Sequence, residues 1–339
     1  MILGLICIAA FFATYAMTAW LIRYFHTRQI VDRPNSRSSH TIPTPRGGGL
    51  SMVAVSTGSV IILYASGSLS APLTTVLIWG GLSIGAVGFW DDVRSAPIAV
   101  RMTVHLGAAA FAVYCLGSAA STVQVGNFAV DLGAIGPVLS VLGIVWSLNL
   151  FNFMDGIDGI AASEAACILL GAAGLGLLVL RCSPMDVAPE LVAGAACLGF
   201  LRWNWPPAAI FMGDVGSGYL GYAIAVIAIG SSQSCHINIY AWLILGGVFL
   251  VDATLTLCRR LLRGERIYHA HRTHAYQRLA RRWGSHLRVT AVVIIINIAW
   301  LFPFAALAVI FPRSAFWICI IALAPLTACA LLSGSGRPE

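Results

Sequence analysis

Five aspartates interrupt apolar sequence in three short polar runs: Asp91 and Asp92 in GFWDDVRSAP, Asp155 and Asp158 in NLFNFMDGIDGIAASE, and Asp214 in FMGDVGSGYLGY. A single Asp at a helix end needs no special account. Two adjacent ones at a helix C-terminus oppose the macrodipole and repel each other, so a cation or a basic partner such as Arg94 or Arg101 must compensate them. In the second run, a helical backbone would place Asp155 and Asp158 on one face, and Gly156 and Gly159 would let a ligand approach the main chain. A glycine-rich turn explains one Asp and one Gly there, but not two Asp together with Asn149 and Asn152. In the third run, Asp214 serves equally well as a helix N-cap or as a metal ligand. Gly216, Gly218 and Gly221 spell GxGxxG, yet no βαβ unit surrounds them, so a dinucleotide reading lacks its context. Small residues at this spacing instead let membrane helices pack closely.

Two basic segments flank these runs. Residues 32–49, DRPNSRSSHTIPTPRGGG, carry Arg33, Arg37, His40 and Arg46, and their three closing glycines offer N–H groups suited to an anion. Residues 259–288 hold nine Arg together with His269, His271, His274 and His286. Most of those Arg read as an amphipathic surface on anionic lipid. His271 and His274, at i and i+3 on one helix face, are not required by lipid attraction. Neither HExxH nor CxxC is present, so the nine cysteines read neither as a zinc site nor as a disulfide framework. Asp252 reads equally as a snorkelling partner of Arg259 or Arg260.

The elements that must position these groups follow from composition. Of 339 residues, 59% are hydrophobic and 10% charged, with mean hydropathy +0.86. Soluble domains carry about a quarter charged residues, which excludes a water-facing fold and disorder alike. Apolar runs recur near 1–22, 48–66, 71–89, 102–117, 133–150, 159–180, 190–202, 215–231, 237–257, 289–310 and 315–333. The expected fold is all-α and polytopic, with about eleven transmembrane helices, the N-terminus outside and the C-terminus cytoplasmic. Charges Arg23 and Arg28 follow the first run, the reverse of a cleaved signal peptide. Residues 1–339 form one domain, with cytoplasmic loops 23–47, 90–101, 151–158, 203–214 and 258–288. All 20 basic residues are Arg, and 18 fall on the cytoplasmic side, leaving Arg181 and Arg313 opposite. Ten of the thirteen acids share that side, although insertion does not demand it.

Several carboxylates on one membrane face, beside Arg- and His-rich loops, pose a chemical problem that a cation solves. Oxygen donors suit Mg²⁺, with Mn²⁺ an alternative, bridging to phosphates that Arg holds further. Phosphoryl-type transfer between a soluble donor and a lipid acceptor follows. At Asp91-Asp92, NLFNFMDGIDG, FMGDVGS, PTPRGGG and the His-containing loop, the chain resembles the polyprenyl-phosphate N-acetylhexosamine-1-phosphate transferases, most of all the bacterial O-antigen initiating members. The resemblance covers roughly residues 32 to 280.

The resemblance implies transfer of sugar-1-phosphate from a UDP-N-acetyl-sugar to undecaprenyl phosphate, with release of UMP, in the bacterial cytoplasmic membrane. By the same resemblance Asp214, with Asp91 and Asp92, would hold Mg²⁺, and Asp91 and Asp92 would also adjoin the acceptor phosphate. Asp155 and Asp158 would line the donor pocket and His274 would lie near the diphosphate. Arg46, Arg101, Asn149, Asn152, Gly156, His271 and Arg272 would bind substrate. Relatives often show HxHH or HHH where this chain has His274-Ala275-Tyr276-Gln277, which favours binding rather than multi-His chemistry. A single in-line displacement is preferred, with a covalent aspartyl route through Asp91 or Asp92 as its rival. A transporter with acidic coupling sites is the second class, although its acids would lie near mid-membrane. A CDP-alcohol phosphotransferase lacks its required spacing after DGIDG. No nucleic-acid partner is expected, and the donor sugar and the oligomeric state, a homodimer included, stay open.

Overall fold

The computed structural model describes residues 2–32, 43–116, 122–265 and 271–338; Arg33, Arg37, His40 and His269 lie outside them. Apolar stretches fold into helices because lipid offers backbone N–H and C=O groups no other partners. In chain order these are α1 (Ile2–Thr27), α2 (Leu50–Ala65), α3 (Ala71–Arg94), α4 (Ile98–Leu116), α5 (Ile135–Met154), α6 (Ile160–Leu180) and α7 (Ala188–Asn204). They continue with α8 (Asp214–Ser234), α9 (Ile239–Leu245), α10 (Gly247–Leu262), α11 (Ala275–Trp283), α12 (His286–Ile310) and α13 (Pro312–Leu332). Two small antiparallel pairs depart from the all-helical expectation: β1 (Val31–Asp32) with β2 (Thr44–Pro45), and β3 (Thr122–Val125) with β4 (Phe128–Asp131).

Among the described residues, eight helices are long and apolar enough to cross a membrane, or nine when the bent pair α9–α10 counts as one span. The chain is a multi-pass membrane protein. The eleven runs expected from sequence include two that yield shorter helices, α2 with 16 residues and α7 with 17.

Helix α8 is the hub, with 83% of its apolar window buried against 22% for α1. It packs along α3 and α5. Glycine permits the close approach: a Cβ at Gly88 would overlap the Asp214 carbonyl, and one at Gly221 would overlap the Ser147 carbonyl and Leu148 Cα. The small residues of α8 therefore serve packing, as their spacing predicts.

Helices α9 and α10 meet at Gly246 with a bend of 80°. Such a break strips the first N–H groups of α10 of their intrahelical partners. The buried carboxylate of Glu164 on α6 lies near the Phe249 N–H in this first turn and accepts Asn297 Nδ2 at 2.6 Å. At the end of the bundle away from the aspartate runs, Cys182 after α6 and Cys235 after α8 form a disulfide. The sequence predicts no disulfide framework, and this is a single pair; two helices, not a sequence spacing, bring the sulfurs together.

Replacing Gly221 with Val should lower the thermal midpoint in detergent, because over-packing a tight contact costs about 1–3 kcal/mol. An unchanged midpoint would contradict the α5–α8 contact.

Candidate active site

Asp91 and Asp92 occupy the last turn of α3 rather than a loop. The fully buried Asp92 side chain reaches the start of α8, where Oδ1 accepts the Asp214 N–H at 2.9 Å and Oδ2 the Val215 N–H at 3.0 Å. The cap of α8 is thus Asp92, supplied across the bundle, and not Asp214 itself. A negative group there complements the helix N-terminus. Gly213, at φ +75°, leaves room for it, since a Cβ would overlap the Asp92 carboxylate.

Two arginines join the three carboxylates into one alternating row. Arg46 Nε stands 2.7 Å from Asp92 Oδ1 and its Nη2 2.6 Å from Asp214 Oδ1. Arg101 Nη1 lies 2.6 Å from Asp91 Oδ2 and 3.3 Å from Asp214 Oδ2. Asp91 Oδ1 also accepts the Ala96 N–H at 2.6 Å. The Arg101 ion pair foreseen for the Asp pair is present. Burial alone would weaken the Arg46 charge, but Asp214 and Asp92 hold the guanidinium firmly protonated. Arg46 owes its place to a bridge with Phe211, reinforced by Phe211 N–H donating to the Pro45 carbonyl at 2.8 Å. The Gly48 and Gly49 N–H groups donate to the Phe211 and Met212 carbonyls at 2.9 Å. Those two donors are therefore spent on the fold and not on an anion.

Asn152 hydrogen-bonds Asp214 and donates to Ser217 Oγ at 3.3 Å, which brings it to the row. Asn149 Nδ2 turns back to its own helix, donating to the Val145 carbonyl at 2.7 Å. Residues 155–159 leave the helix, so the shared-face argument for Asp155 and Asp158 does not hold. Burial pushes the Asp155 carboxyl up to about 7; Arg46 opposes this, while Asp214, Asp92 and Asp158 add to it. Asp155 therefore belongs electrostatically to the row. Asp158 instead anchors its loop: Oδ2 accepts the Ala208 N–H at 3.1 Å and lies 3.3 Å from His286 Nδ1. Its carbonyl accepts Thr290 Oγ1 at 2.9 Å.

The His-containing segment adjoins this loop. Tyr276 donates its hydroxyl to the Phe153 carbonyl at 3.1 Å, and a Cβ at Gly156 would overlap that hydroxyl. The close approach that Gly156 permits is used by Tyr276. Burial, with Asp252 and Asp155 nearby, keeps the phenol well above its ordinary range. His274 is buried at the start of α11, and the His271 ring stacks on it with centroids 4.9 Å apart. They meet through an irregular segment, not along a helix face. Burial, with His274 and Arg260 beside it, lowers His271 to about 4, so its ring is neutral at pH 7. The Arg272 carbonyl accepts Arg281 Nη2 at 3.0 Å. Asp252 does not snorkel to Arg259 or Arg260; it faces the start of α11.

Three carboxylates against two guanidiniums leave the row with one formal negative charge in excess. Its donors are all oxygen, the type that Mg²⁺ takes. Among the described residues, no group of three or more His, Cys, Asp or Glu side chains is arranged as a metal site. Arg46 and Arg101 occupy the carboxylate oxygens a cation would share.

Comparison with known proteins identifies the family. A model of glycosyl transferase family 4 matches residues 74–232, a stretch containing all five aspartates. The chain is 30% identical over 298 residues to a probable undecaprenyl-phosphate N-acetylglucosaminyl 1-phosphate transferase of Bacillus subtilis, covering 85% of this chain and 79% of that one. It is 29% identical over 339 residues to the decaprenyl-phosphate N-acetylglucosaminephosphotransferase of Mycolicibacterium smegmatis, covering 91% and 82%. A phospho-N-acetylmuramoyl-pentapeptide-transferase of Neisseria meningitidis matches at 32% over 243 residues, 62% of this chain and 64% of that protein. Fold and relatives together define a multi-pass membrane transferase. The chain belongs to glycosyl transferase family 4, among the polyprenyl-phosphate N-acetylhexosamine-1-phosphate transferases.

Replacing Asp92 with Ala should cost about 3 kcal/mol or more, because it strands Arg46 and two helix N–H groups; thermal unfolding in detergent measures this. Asp155 gives a pH signature. Its carboxyl titrates near 3.8 when unfolded and about 7 when folded. Its contribution to stability is therefore full below about pH 4, falls as pH rises to about 7, and stays level above. Asp155→Asn should flatten that decline in the thermal midpoint, and an identical pH profile would count against it.

Proposed function

We propose that the protein transfers an N-acetyl-sugar-1-phosphate from a UDP-N-acetyl-sugar to undecaprenyl phosphate, releasing UMP. The reaction would initiate a lipid-linked cell-surface polysaccharide such as O-antigen. The observation that carries this reading is the row Asp92–Arg46–Asp214–Arg101–Asp91 at the ends of α3, α4 and α8. The relatives' names supply the substrate classes. Both guanidiniums already grip carboxylate oxygens, and the same forks suit phosphate. Asp214, with Asp91 and Asp92, would hold Mg²⁺ (Mn²⁺ the alternative), which would supply neutralising charge at the phosphates. His271 and His274, with Arg272, would contact the donor's diphosphate.

The acceptor is a phosphate monoester with second pKa about 6, largely dianionic at neutral pH. Its oxygen attacks the sugar-linked phosphorus in line, and the bond to UMP breaks, with little need of a base. The protein's share is positioning and charge neutralisation. Both Asp92 oxygens already accept backbone N–H groups, and Oδ1 also pairs with Arg46, which supports single displacement over an Asp92 acyl phosphate.

The reading counts α2, α7 and the bent pair as spans, giving eleven passes, and puts the site at the cytoplasmic face. Two observations support it: the Arg asymmetry, and a disulfide beyond the far ends of α6 and α8, as expected in an oxidising compartment. The broken α9–α10 pair is the feature that favours a transporter. Yet the buried acid beside it, Glu164 on α6, is engaged by Asn297.

Purified protein given undecaprenyl phosphate and a panel of UDP-N-acetyl-sugars should release UMP with one or more donors, and chelation of divalent metal should stop it. Asp214→Asn should abolish the Mg²⁺-dependent release; retained activity would remove the metal assignment. Substrate uptake into proteoliposomes without UMP would select the transporter, and UMP exchange without lipid acceptor the covalent route.

A further inference from the structure

Asp252 has no part in the chemistry proposed above, yet its buried carboxylate gathers groups from three parts of the chain. Oδ1 accepts the Ala275 N–H at 2.8 Å and Oδ2 the Tyr276 N–H at 3.0 Å. These two residues open α11, so Asp252 is the cap of that helix, supplied from α10. The hydroxyls of Thr256 and Ser335, 2.5 Å apart, lie 3.1 and 3.0 Å from Oδ1. The same oxygen stands 3.6 Å from His274 Nδ1.

Capping α11 needs only the first two contacts. The segment after α13 adds a second layer that capping does not explain. Arg259 Nη1 donates to the Ser335 carbonyl at 2.9 Å, and the Gly336 N–H donates to the Thr273 carbonyl at 2.7 Å. Arg278 Nη2 donates to the Arg337 and Pro338 carbonyls at 2.5 and 3.0 Å. Gly336 sits at φ +71°, and a Cβ there would press on the Thr256 carbonyl, so a side chain is refused. Thr273, gripped from this side, directly precedes His274. At 3.6 Å the Asp252 carboxylate makes no hydrogen bond to Nδ1, so it holds His274 through the backbone that follows that residue, as Gly336 does through the backbone that precedes it.

We propose that Asp252 and residues 335–338 form a latch that fixes the place of His274 for the transfer. Asp252 is then a positioning residue, acting through His274. The proposal rests on the transferase reading. Each contact is local to α10, the His segment and the segment after α13, so the latch can be opened without disturbing the Asp–Arg row.

The test compares wild type, Asp252→Asn, a deletion of residues 335–339, His274→Ala, and each of the first two changes combined with His274→Ala. Asp252→Asn and the deletion should each lower kcat about tenfold or more, as misplacement of a working group does. KM for undecaprenyl phosphate should stay within about twofold. Neither change should slow the His274→Ala enzyme further, because both act through that ring. Losses that multiply on His274→Ala, or a deletion with wild-type kcat, overturn the latch. Should Asp252→Asn not fold, the deletion decides, since it lies beyond α13. Hydrogen exchange supplies a reading independent of activity: amides of residues 271–280 should exchange faster in the deletion, and unchanged exchange also overturns the proposal. A wild type that releases no UMP from any donor defeats the transferase reading instead, while the exchange result still judges the latch.

Discussion

Charge in a low-dielectric surrounding must be neutralised where it stands, and that constraint organises this protein. Asp91, Asp92 and Asp214 lie at helix ends beside lipid-embedded spans, and Arg46 and Arg101 bind them into one row. Removing any member strands its neighbours, which costs more than the pair itself contributes. The row also sets the fold: Asp92 caps α8, the most buried helix, and Arg46 ties the β1–β2 segment to Phe211. The groups proposed to handle phosphate are thus the groups that hold three helices in register.

Much of this was legible in the chain. Apolar runs mark the long helices, and the acids at span ends include the three that meet in one row, because each signal is local or additive along the sequence. What stayed hidden were pairings through space. Nothing in DDVRSAP says that Asp92 caps a helix more than a hundred residues away, and Asp252 near two arginines gave no hint of serving α11 instead. The helical reading of Asp155 and Asp158 failed because Gly159 adopts φ +75°, which starts α6 only after the loop. The glycines of PTPRGGG looked like an anion nest, but Gly48 and Gly49 were claimed by the carbonyls of Phe211 and Met212. In each case a distant backbone partner outcompeted the ligand that local pattern suggested.

The site is assembled from two halves with different attachments. The Asp–Arg row is rooted in α3, α4 and α8, while the histidines hang on α10 through Asp252. Tyr276, donating to the Phe153 carbonyl, is the stitch between them. The break at Gly246 turns α10 aside by 80°, with the buried Glu164 of α6 beside it.

The disulfide between Cys182 and Cys235 carries a practical consequence. It closes a loop spanning 53 residues that contains all of α7 and the FMGD turn leading into α8. In the chain-entropy account, closing a loop of that length removes about 4 kcal/mol of freedom from the unfolded chain. That is a large share of the margin by which a protein stays folded. A preparation held in thiol reductant would therefore be a less robust molecule than one handled in air. Two laboratories that differ in nothing but their buffer would be working with differently braced forms of the same enzyme.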